Sequence, residues 1–216
     1  MKTLKYIILG VLLSSLVISS FSFSPSKNSF SQEGKITFCE TYTQQELVSK
    51  LSSDADFFSL VHLEGTSPES SRIGTCNESD MKAIWNCVRS ESFRNQVPND
   101  LFIAAGAEAS GQMVSLYAIR KPASKHVFPS QQDLVEVSVS EDNEDNYTLL
   151  MSFSESGAKK WASLTLKHKG RDIASLFDGK LIAAPRVTEE IKGGKCSISG
   201  SYTKEEIYRL KAALLN

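Results

Sequence analysis

The stretch from Tyr147 to Gly170 reads YTLLMSFSESGAKKWASLTLKHKG, and its pattern shows how this part of the chain folds. The first seven residues place apolar side chains at every second position, which is the period of a strand with one buried face. Ser154 then precedes an apolar stripe at helical spacing, and Gly170 follows that stripe. Serine and glycine are residues that commonly begin and end helices. The stretch therefore predicts a strand followed directly by a helix.

The residues that follow continue with strands and one further helix. Asp178-Gly179 separates two short runs, 173–177 and 180–184, and predicts a tight hairpin because both turn residues tolerate positive φ. A strand at 196–198 comes next, and the capping box Thr203-Lys-Glu-Glu206 opens a C-terminal helix. Together these elements predict an α+β fold in which helices pack on one face of an antiparallel sheet.

The region from 35 to 121 shows a similar mixture of periods. Its predicted elements are a strand over 36–39, a short helix opened by the capping box Thr43–Glu46, a strand over Phe57–Leu63, a helix capped by Ser79 or Asp80, and a hairpin of 101–107 with 113–119. The segment 121–132 contains two prolines and no period. It is predicted to separate this α+β region of unknown family from a second α+β region over 133–216.

The composition is that of a folded protein and excludes several classes. The chain has 216 residues, 41% of them hydrophobic, and 24 Lys and Arg residues balance 25 Asp and Glu residues. The apolar fraction is too high and the net charge too low for a disordered chain. No excess of basic residues exists to neutralise phosphates, so nucleic-acid binding is not expected.

The N-terminus has the pattern of a secretory signal. Lys2 and Lys5 precede an apolar run over 6–18, and Ser20-Phe-Ser22 supplies small residues at the positions that a signal peptidase reads. We therefore expect a signal peptide over 1–22, a flexible leader over 23–34, and a periplasmic or secreted mature chain without an integral membrane domain. An uncleaved N-terminal membrane anchor is the alternative.

The four cysteines are interpreted in the light of export. Cys39, Cys76, Cys87 and Cys196 show no C-x-x-C spacing, so neither a zinc site nor a thioredoxin-like redox pair is indicated. An even count in an oxidising compartment favours two disulfides. We expect Cys76 to pair with Cys87, and Cys39 to pair with Cys196. Four buried free thiols are the alternative.

Seven short motifs occur in order between residues 151 and 206. They are MSFSESGA at 151–158, LT at 164–165, IASLFDGK at 173–180, LIAAPRV at 181–187, IKGG at 191–194, ISG at 198–200 and YTKEE at 202–206. In this order and spacing they resemble the head subdomain of the first periplasmic domain of SecD and SecDF. The resemblance covers about a third of the chain and marks a fold more than a chemical site.

The resemblance implies a function in protein export. In that family the head is thought to contact polypeptides that emerge from the translocon. We expect a stand-alone, non-enzymatic head-like module without the membrane helices of that family, which binds exported polypeptides or Sec translocon components. A secreted interaction protein unrelated to export, or an enzyme of unrecognised type, are the alternatives.

The candidate partner surface lies where the predicted hairpin tip meets the double-glycine loop, because loops on a rigid sheet often carry binding residues. Its residues are Asp178, Gly179, Lys180, Lys192, Gly193, Gly194 and Lys195. No catalytic residue, metal or cofactor is expected. The three histidines, His62, His126 and His168, are not spaced as metal ligands, and the sequence contains no phosphate-binding loop.

Overall fold

The structure is a computed structural model that describes residues 35–51, 55–63, 68–106, 112–122, 128–142, 146–200 and 202–215. These ranges belong to one compact unit. The signal peptide and leader predicted over 1–34, the turn at Ala109–Gly111, and His126 lie outside the described residues. No helix in the described ranges has the length and apolarity that crossing a bilayer requires.

The described elements follow one another along the chain as a mixture of strands and helices. They are β1 (Ile36–Cys39), α1 (Gln44–Lys50), α2 (Ala55–Leu60), β2 (Arg72–Asn77), α3 (Met81–Arg89), α4 (Glu91–Gln96), β3 (Leu101–Ala105), β4 (Met113–Arg120), β5 (Leu134–Glu141), β6 (Tyr147–Phe153), α5 (Glu155–Lys167), β7 (Ala174–Phe177), β8 (Lys180–Ala183), β9 (Lys195–Ser199) and α6 (Lys204–Leu214). The strands form three antiparallel sheets, which confirms the predicted α+β class.

We name the sheets by their place in the fold. The N-terminal sheet has the strand order β2-β4-β3, the middle sheet β1-β7-β8, and the C-terminal sheet β5-β6-β9. Helices α5 and α6 pack on one face of the C-terminal sheet, where their apolar side chains join those of β6 in a single cluster. This is the arrangement of helices on an antiparallel sheet that the sequence predicted.

The middle sheet is buried on both faces. On one face, the Phe38 ring lies 5.9 Å from the Phe153 ring and 5.0 Å from the Trp161 ring, centroid to centroid, in the cluster that contains α5 and α6. On the other face, Cys39 and Leu176 pack with residues of β3 and β4. The middle sheet therefore connects the cores of the two outer sheets.

Strand β1 crosses the predicted boundary between the regions 35–121 and 133–216. It pairs with β7 in antiparallel register, with Ile36 opposite Phe177. The two predicted regions therefore share the middle sheet, while each has a further sheet of its own. The division of the chain into two domains stays a prediction.

The signals for the starts of α1, α5 and α6 and for the hairpin turn are confirmed, whereas Asp80 precedes α3 without a side-chain capping hydrogen bond. The hydroxyl of Ser154 accepts a hydrogen bond from the Gly157 backbone N–H at the start of α5. Both predicted capping boxes form, at Thr43 and at Thr203. The Asp178-Gly179 turn has φ of 47° and 76°, so both residues adopt the positive φ that the tight hairpin requires.

The strand predicted over Phe57–Leu63 is wrong, because Ala55–Leu60 is the helix α2. Phe57 and Val61 are both buried, at 0% and 3% exposure. They are joined by a backbone hydrogen bond of 3.2 Å from the Val61 N–H to the Phe57 carbonyl. A spacing of four residues with that bond is helical. The Phe57 ring also packs against Phe93 of α4 at 5.3 Å.

The sequence pattern did not predict strand β2, because its sequence, RIGTCN, lacks alternation and contains a glycine. Gly74 is required by a close approach of two backbones. A Cβ atom at this position would lie 2.2 Å from the carbonyl oxygen of His62. His62 exchanges two backbone hydrogen bonds with Thr75 at this point. The glycine thus lets residue 62 add to the edge of β2.

Neither predicted disulfide is present, because Cys39, Cys76 and Cys196 are free thiols in the structure. Cys39 packs toward the N-terminal sheet, whereas Cys196 packs toward α5 and α6, so the two lie in different clusters. The Cys76 sulfur lies 3.4 Å from the Met81 sulfur instead of bonding to Cys87. Burial raises the pKa of Cys39 and Cys196 to about 12 and that of Cys76 to about 11.

We expect the three thiols to become reactive only when the chain unfolds. In the native protein, iodoacetamide should label Cys39, Cys76 and Cys196 slowly, because burial disfavours the reactive thiolate. In denaturant without any reductant, peptide mass spectrometry should find all three fully alkylated. The control is the same denatured sample treated with reductant first. Cysteines that label only after reduction would show that they form disulfides.

Candidate functional site

The hairpin tip of the predicted partner surface is tied to the beginning of β1. The Asp178 carboxylate accepts a hydrogen bond from the Lys35 backbone N–H at 3.1 Å, and the Asp178 N–H donates to the Lys35 carbonyl at 3.2 Å. The Lys180 side chain is exposed at the first position of β8. The tip is therefore a fixed turn that presents one lysine to solvent.

The double-glycine loop is held by β6 and α5. The Gly194 carbonyl accepts a hydrogen bond of 2.8 Å from the Phe153 N–H. Gly194 has φ of +61°, and a Cβ atom there would lie 2.6 Å from the Cβ of Ala158. The Lys195 carbonyl accepts a hydrogen bond of 3.1 Å from the Trp161 ring N–H. Gly194 is thus a packing position, whereas Gly193 is exposed with open space around it.

The two loops are fixed by different elements. The tip is hydrogen-bonded to the start of β1, and the loop is hydrogen-bonded to β6 and α5. Among the described residues, no hydrogen bond joins the tip to the loop. Lys192 lies 3.3 Å from Glu190 in an ion pair. Lys180 and Lys195 have no ion-pair partner among the described residues. A single surface formed by both loops stays a prediction.

The C-terminal sheet has a face that the described helices do not cover, which we call the outer face. It consists of Glu136, Ser138, Ser140, Thr148, Leu150, Ser152, Lys195, Ser197 and Ser199, which pair across the three strands. Leu150, at its centre, is 40% exposed. The Thr148 and Ser199 hydroxyls lie 3.2 Å apart. The alternation in β6 predicted the buried face correctly, but it did not single out the opposite face as a surface.

A polar seam lies beside the end of β1 and was not predicted. It consists of Glu40, Thr41, Ser70, Ser71, Arg120, Lys167, His168, Asp172 and Arg186, which come from both predicted regions. No local pattern could have identified it, because its bonds join residues that are separated by about a hundred positions or more in most cases. The buried charged side chain of Asp172 distinguishes the seam from ordinary surface ion pairs. A single sequence does not reveal which side chains are buried.

Asp172 lies at one end of the seam and is 4% exposed. One carboxylate oxygen accepts hydrogen bonds from the Ser71 N–H at 2.6 Å and from the Ser71 hydroxyl at 2.8 Å. The other oxygen lies 3.3 Å from Nε of Arg186. The Asp172 backbone carbonyl accepts from the Thr41 hydroxyl at 2.7 Å. A buried carboxylate that is bonded on both oxygens is tolerated and fixes its neighbours in place.

Glu40 lies at the other end of the seam. Its carboxylate lies 2.7 Å from Nζ of Lys167, 3.1 Å from Nε2 of His168 and 3.3 Å from an Arg120 nitrogen. Burial alone would raise the pKa of Glu40, but the bonds and charges of Lys167 and His168 outweigh it and lower that pKa. Burial lowers the pKa of His168, against the opposing effect of Glu40.

The buried Ser71 hydroxyl and His168 imidazole of the seam are both bonded to carboxylates. Ser71 is 1% exposed and its hydroxyl donates directly to Asp172, while His168 faces Glu40 instead of a hydroxyl. In the part of the chain that the structure describes, no three His, Cys, Asp or Glu side chains are grouped so that they could hold a metal ion. The bonds of the seam join the beginning of the described chain to its C-terminal region.

Residues 115–216 match the family model described as "SecDF, P1 head subdomain". The matched range begins in β4 and contains all seven motifs that carried the resemblance. The resemblance is therefore confirmed, and it extends further toward the N-terminus than the sequence motifs indicated. The match covers slightly less than half of the chain.

Sequence relatives agree with this match. Protein translocase subunit SecD of Acidaminococcus fermentans is 42% identical over 83 residues, which are 38% of this chain and 20% of that protein. The SecD subunit of Rickettsia typhi is 29% identical over 125 residues, which are 57% of this chain and 23% of that protein. The chain therefore spans less than a quarter of the length of either relative.

One similar solved structure is described as "Structure and function of a membrane component SecDF that enhances protein export". It aligns with a TM-score of 0.45 at 16% identity and covers 85% of this chain and 63% of that one. At this TM-score the structural likeness adds nothing to the sequence match.

Acidification should weaken the fold in two stages. Burial lowers the pKa of His168, so the fold favours its neutral form. The contribution of His168 to the free energy of unfolding is therefore complete above the ordinary histidine pKa of about 6.5, and it declines as the pH falls below that value. The fold favours ionised Glu40, so that contribution is complete above about pH 4.5 and is lost as the pH falls through the lowered pKa. Urea unfolding at a series of pH values should resolve both declines.

The variant His168→Gln separates the two stages. Its amide keeps a donor for Glu40 but does not titrate, so the upper decline should disappear while the lower one remains. An unchanged upper decline would show that another group causes it.

Replacing the two loop glycines separately should distinguish packing from exposure. Gly194→Ala should lower the free energy of unfolding by about 2–4 kcal/mol, since the new Cβ combines positive φ with overlap on Ala158. Gly193→Ala is the matched control and should change it by less than about 0.5 kcal/mol, because its surroundings are open. Chemical denaturation measures both, and equal effects would contradict the assigned roles.

Proposed function

We propose that this chain is an exported, non-enzymatic module that binds polypeptides outside the cytoplasm and assists protein export. The observation that carries the proposal is the match of residues 115–216 to the SecDF P1 head subdomain. The matched relatives are named protein translocase subunits. Exported polypeptides and Sec translocon components are the partners that we propose.

We place partner binding on the hairpin tip, Asp178–Lys180, and on the loop Lys192–Lys195. Each is anchored by backbone hydrogen bonds, at Lys35 and at Phe153 respectively. A loop that is already fixed loses little conformational entropy when a partner binds. The chemistry that these loops offer is an exposed ammonium group on a rigid turn.

The exposed lysines of the tip and the loop can attract the acidic side chains of a polypeptide electrostatically. Lys180 and Lys195 are unpaired within the described residues, whereas Lys159, Lys160 and Lys167 of α5 lie within 3.0 Å of carboxylates. An unpaired ammonium group attracts side-chain carboxylates of a passing polypeptide. The contribution is electrostatic, so binding should weaken as the salt concentration rises.

Photo-crosslinking in the native host tests the proposal. A photoreactive residue replaces Lys180 or Lys195 in the full-length chain, and adducts are identified by mass spectrometry. Lys82, which is exposed on α3 outside the matched range, is the control position. We expect adducts with many exported polypeptides or with Sec translocon components at the two test positions, and few at the control.

The other outcomes identify the alternatives. One dominant partner unrelated to export would overturn the export function and indicate a dedicated interaction protein. Equal adducts at all three positions would overturn the placement on these loops. Charge reversal provides a second measurement: Lys180→Glu with Lys192→Glu and Lys195→Glu should reduce adduct yield at a neighbouring probe, whereas Lys82→Glu should not.

A further inference from the structure

We propose that the outer face of the C-terminal sheet binds the same face of a second copy of this chain, in a weak and reversible dimer. This inference does not rest on the proposed export function, because it concerns contacts between copies of the chain alone, although Lys195 belongs to both surfaces. It rests on the arrangement of charges and small side chains across β5, β6 and β9.

Cross-strand pairing arranges the outer face in three rows. The rows are Glu136–Ser152–Lys195, Ser138–Leu150–Ser197 and Ser140–Thr148–Ser199. Paired residues on neighbouring strands share a face of the sheet. The face therefore has a negative charge on the β5 edge, a positive charge on the β9 edge of the same row, and its one large apolar side chain at the centre.

This arrangement is complementary to itself. Consider a two-fold axis that lies between two stacked sheets and runs nearly parallel to β6. The axis exchanges the β5 and β9 positions, so Glu136 of each copy faces Lys195 of the other, and Leu150 faces Leu150. A two-fold contact requires such a self-complementary patch. The hydroxyls of the second and third rows face one another and allow the sheets to stack about 10 Å apart.

The two charges are available for a contact of this kind. Glu136 and Lys195 are exposed and have no ion-pair partner among the described residues. In contrast, Lys160 and Lys192 lie 3.0 and 3.3 Å from carboxylates of their own chain. Within one chain, Glu136 and Lys195 lie in the same row on strands two apart, at about twice the 4.8 Å strand spacing, and the structure shows no ion pair between them. A second copy provides each with an opposite charge.

The same features indicate that the contact is weak. Nine mostly small side chains bury less than the roughly 800 Å² per partner that stable complexes bury. The single apolar contact is between the two Leu150 side chains. We expect a dissociation constant on the order of 0.1–1 mM, which corresponds to a transient contact.

Sedimentation equilibrium of the purified chain, without any polypeptide partner, tests the inference. The average mass should rise toward that of a dimer between about 10 μM and 1 mM protein. Glu136→Lys or Lys195→Glu alone should weaken association by roughly tenfold or more, because each places like charges face to face. The double variant should return to within about threefold of the original constant, because both pairs form again with exchanged signs.

Two controls keep the result specific. Lys169→Glu changes an exposed charge outside the outer face and should leave association unchanged. Leu150→Cys should give a linked dimer with a short bismaleimide, whereas Leu166→Cys, which is 57% exposed on α5, should not; both are made in a Cys87→Ser background.

A chain that stays monomeric at about 1 mM would overturn the inference. Association that survives both single charge reversals, or that the double variant does not restore, would place the contact on another face. Glu136→Lys also separates this inference from the proposed function, since Glu136 is not part of the tip or the loop. Loss of export partners with association intact would affect only the proposed function.

Discussion

Four residues of β1, Ile36–Cys39, pair with β7 and place a strand from the beginning of the described chain in the centre of its core. Alternate side chains of this strand enter two different clusters, with Phe38 on one side and Cys39 on the other. Removing the strand would therefore expose apolar surface in both clusters at once. Because the paired residues lie more than 130 positions apart, their contact closes a long loop, and the burial must repay that entropy.

The polar seam continues from β1 without interruption. Glu40 and Thr41 follow the strand directly, and their bonds to His168 and to the Asp172 carbonyl fix the residues that lead into β7. Buried charges of this kind add little net stability, since desolvation offsets much of their attraction. Their effect is on geometry: a shift of β1 by one residue would separate Thr41 from Asp172 and leave buried polar groups without partners.

The sequence predicted what short-range physics determines. The strand β6, both capping boxes and the Asp178-Gly179 turn depend on residues within a few positions of one another, and all are confirmed. The helix α2 was predicted as a strand because a short run with adjacent phenylalanines fits both periods, and its packing on α3 and α4 decides between them. The seam, the middle sheet and the separation of Cys39 from Cys196 depend on pairings across the whole chain, which local pattern does not specify.

The pairing of β1 with β7 also bears on what the family match describes. The match begins at residue 115, inside β4, yet β7 lies between β8 and a strand from outside the matched range. Without residues 35–114, one edge of β7 would have no partner, and the face that carries Leu176 would lose the β3 side chains packed on it. Leu176 is 0% exposed in the intact unit. The head-like part is therefore completed by residues that have no share in the match, and its hairpin tip is bonded to Lys35, at the start of that added strand.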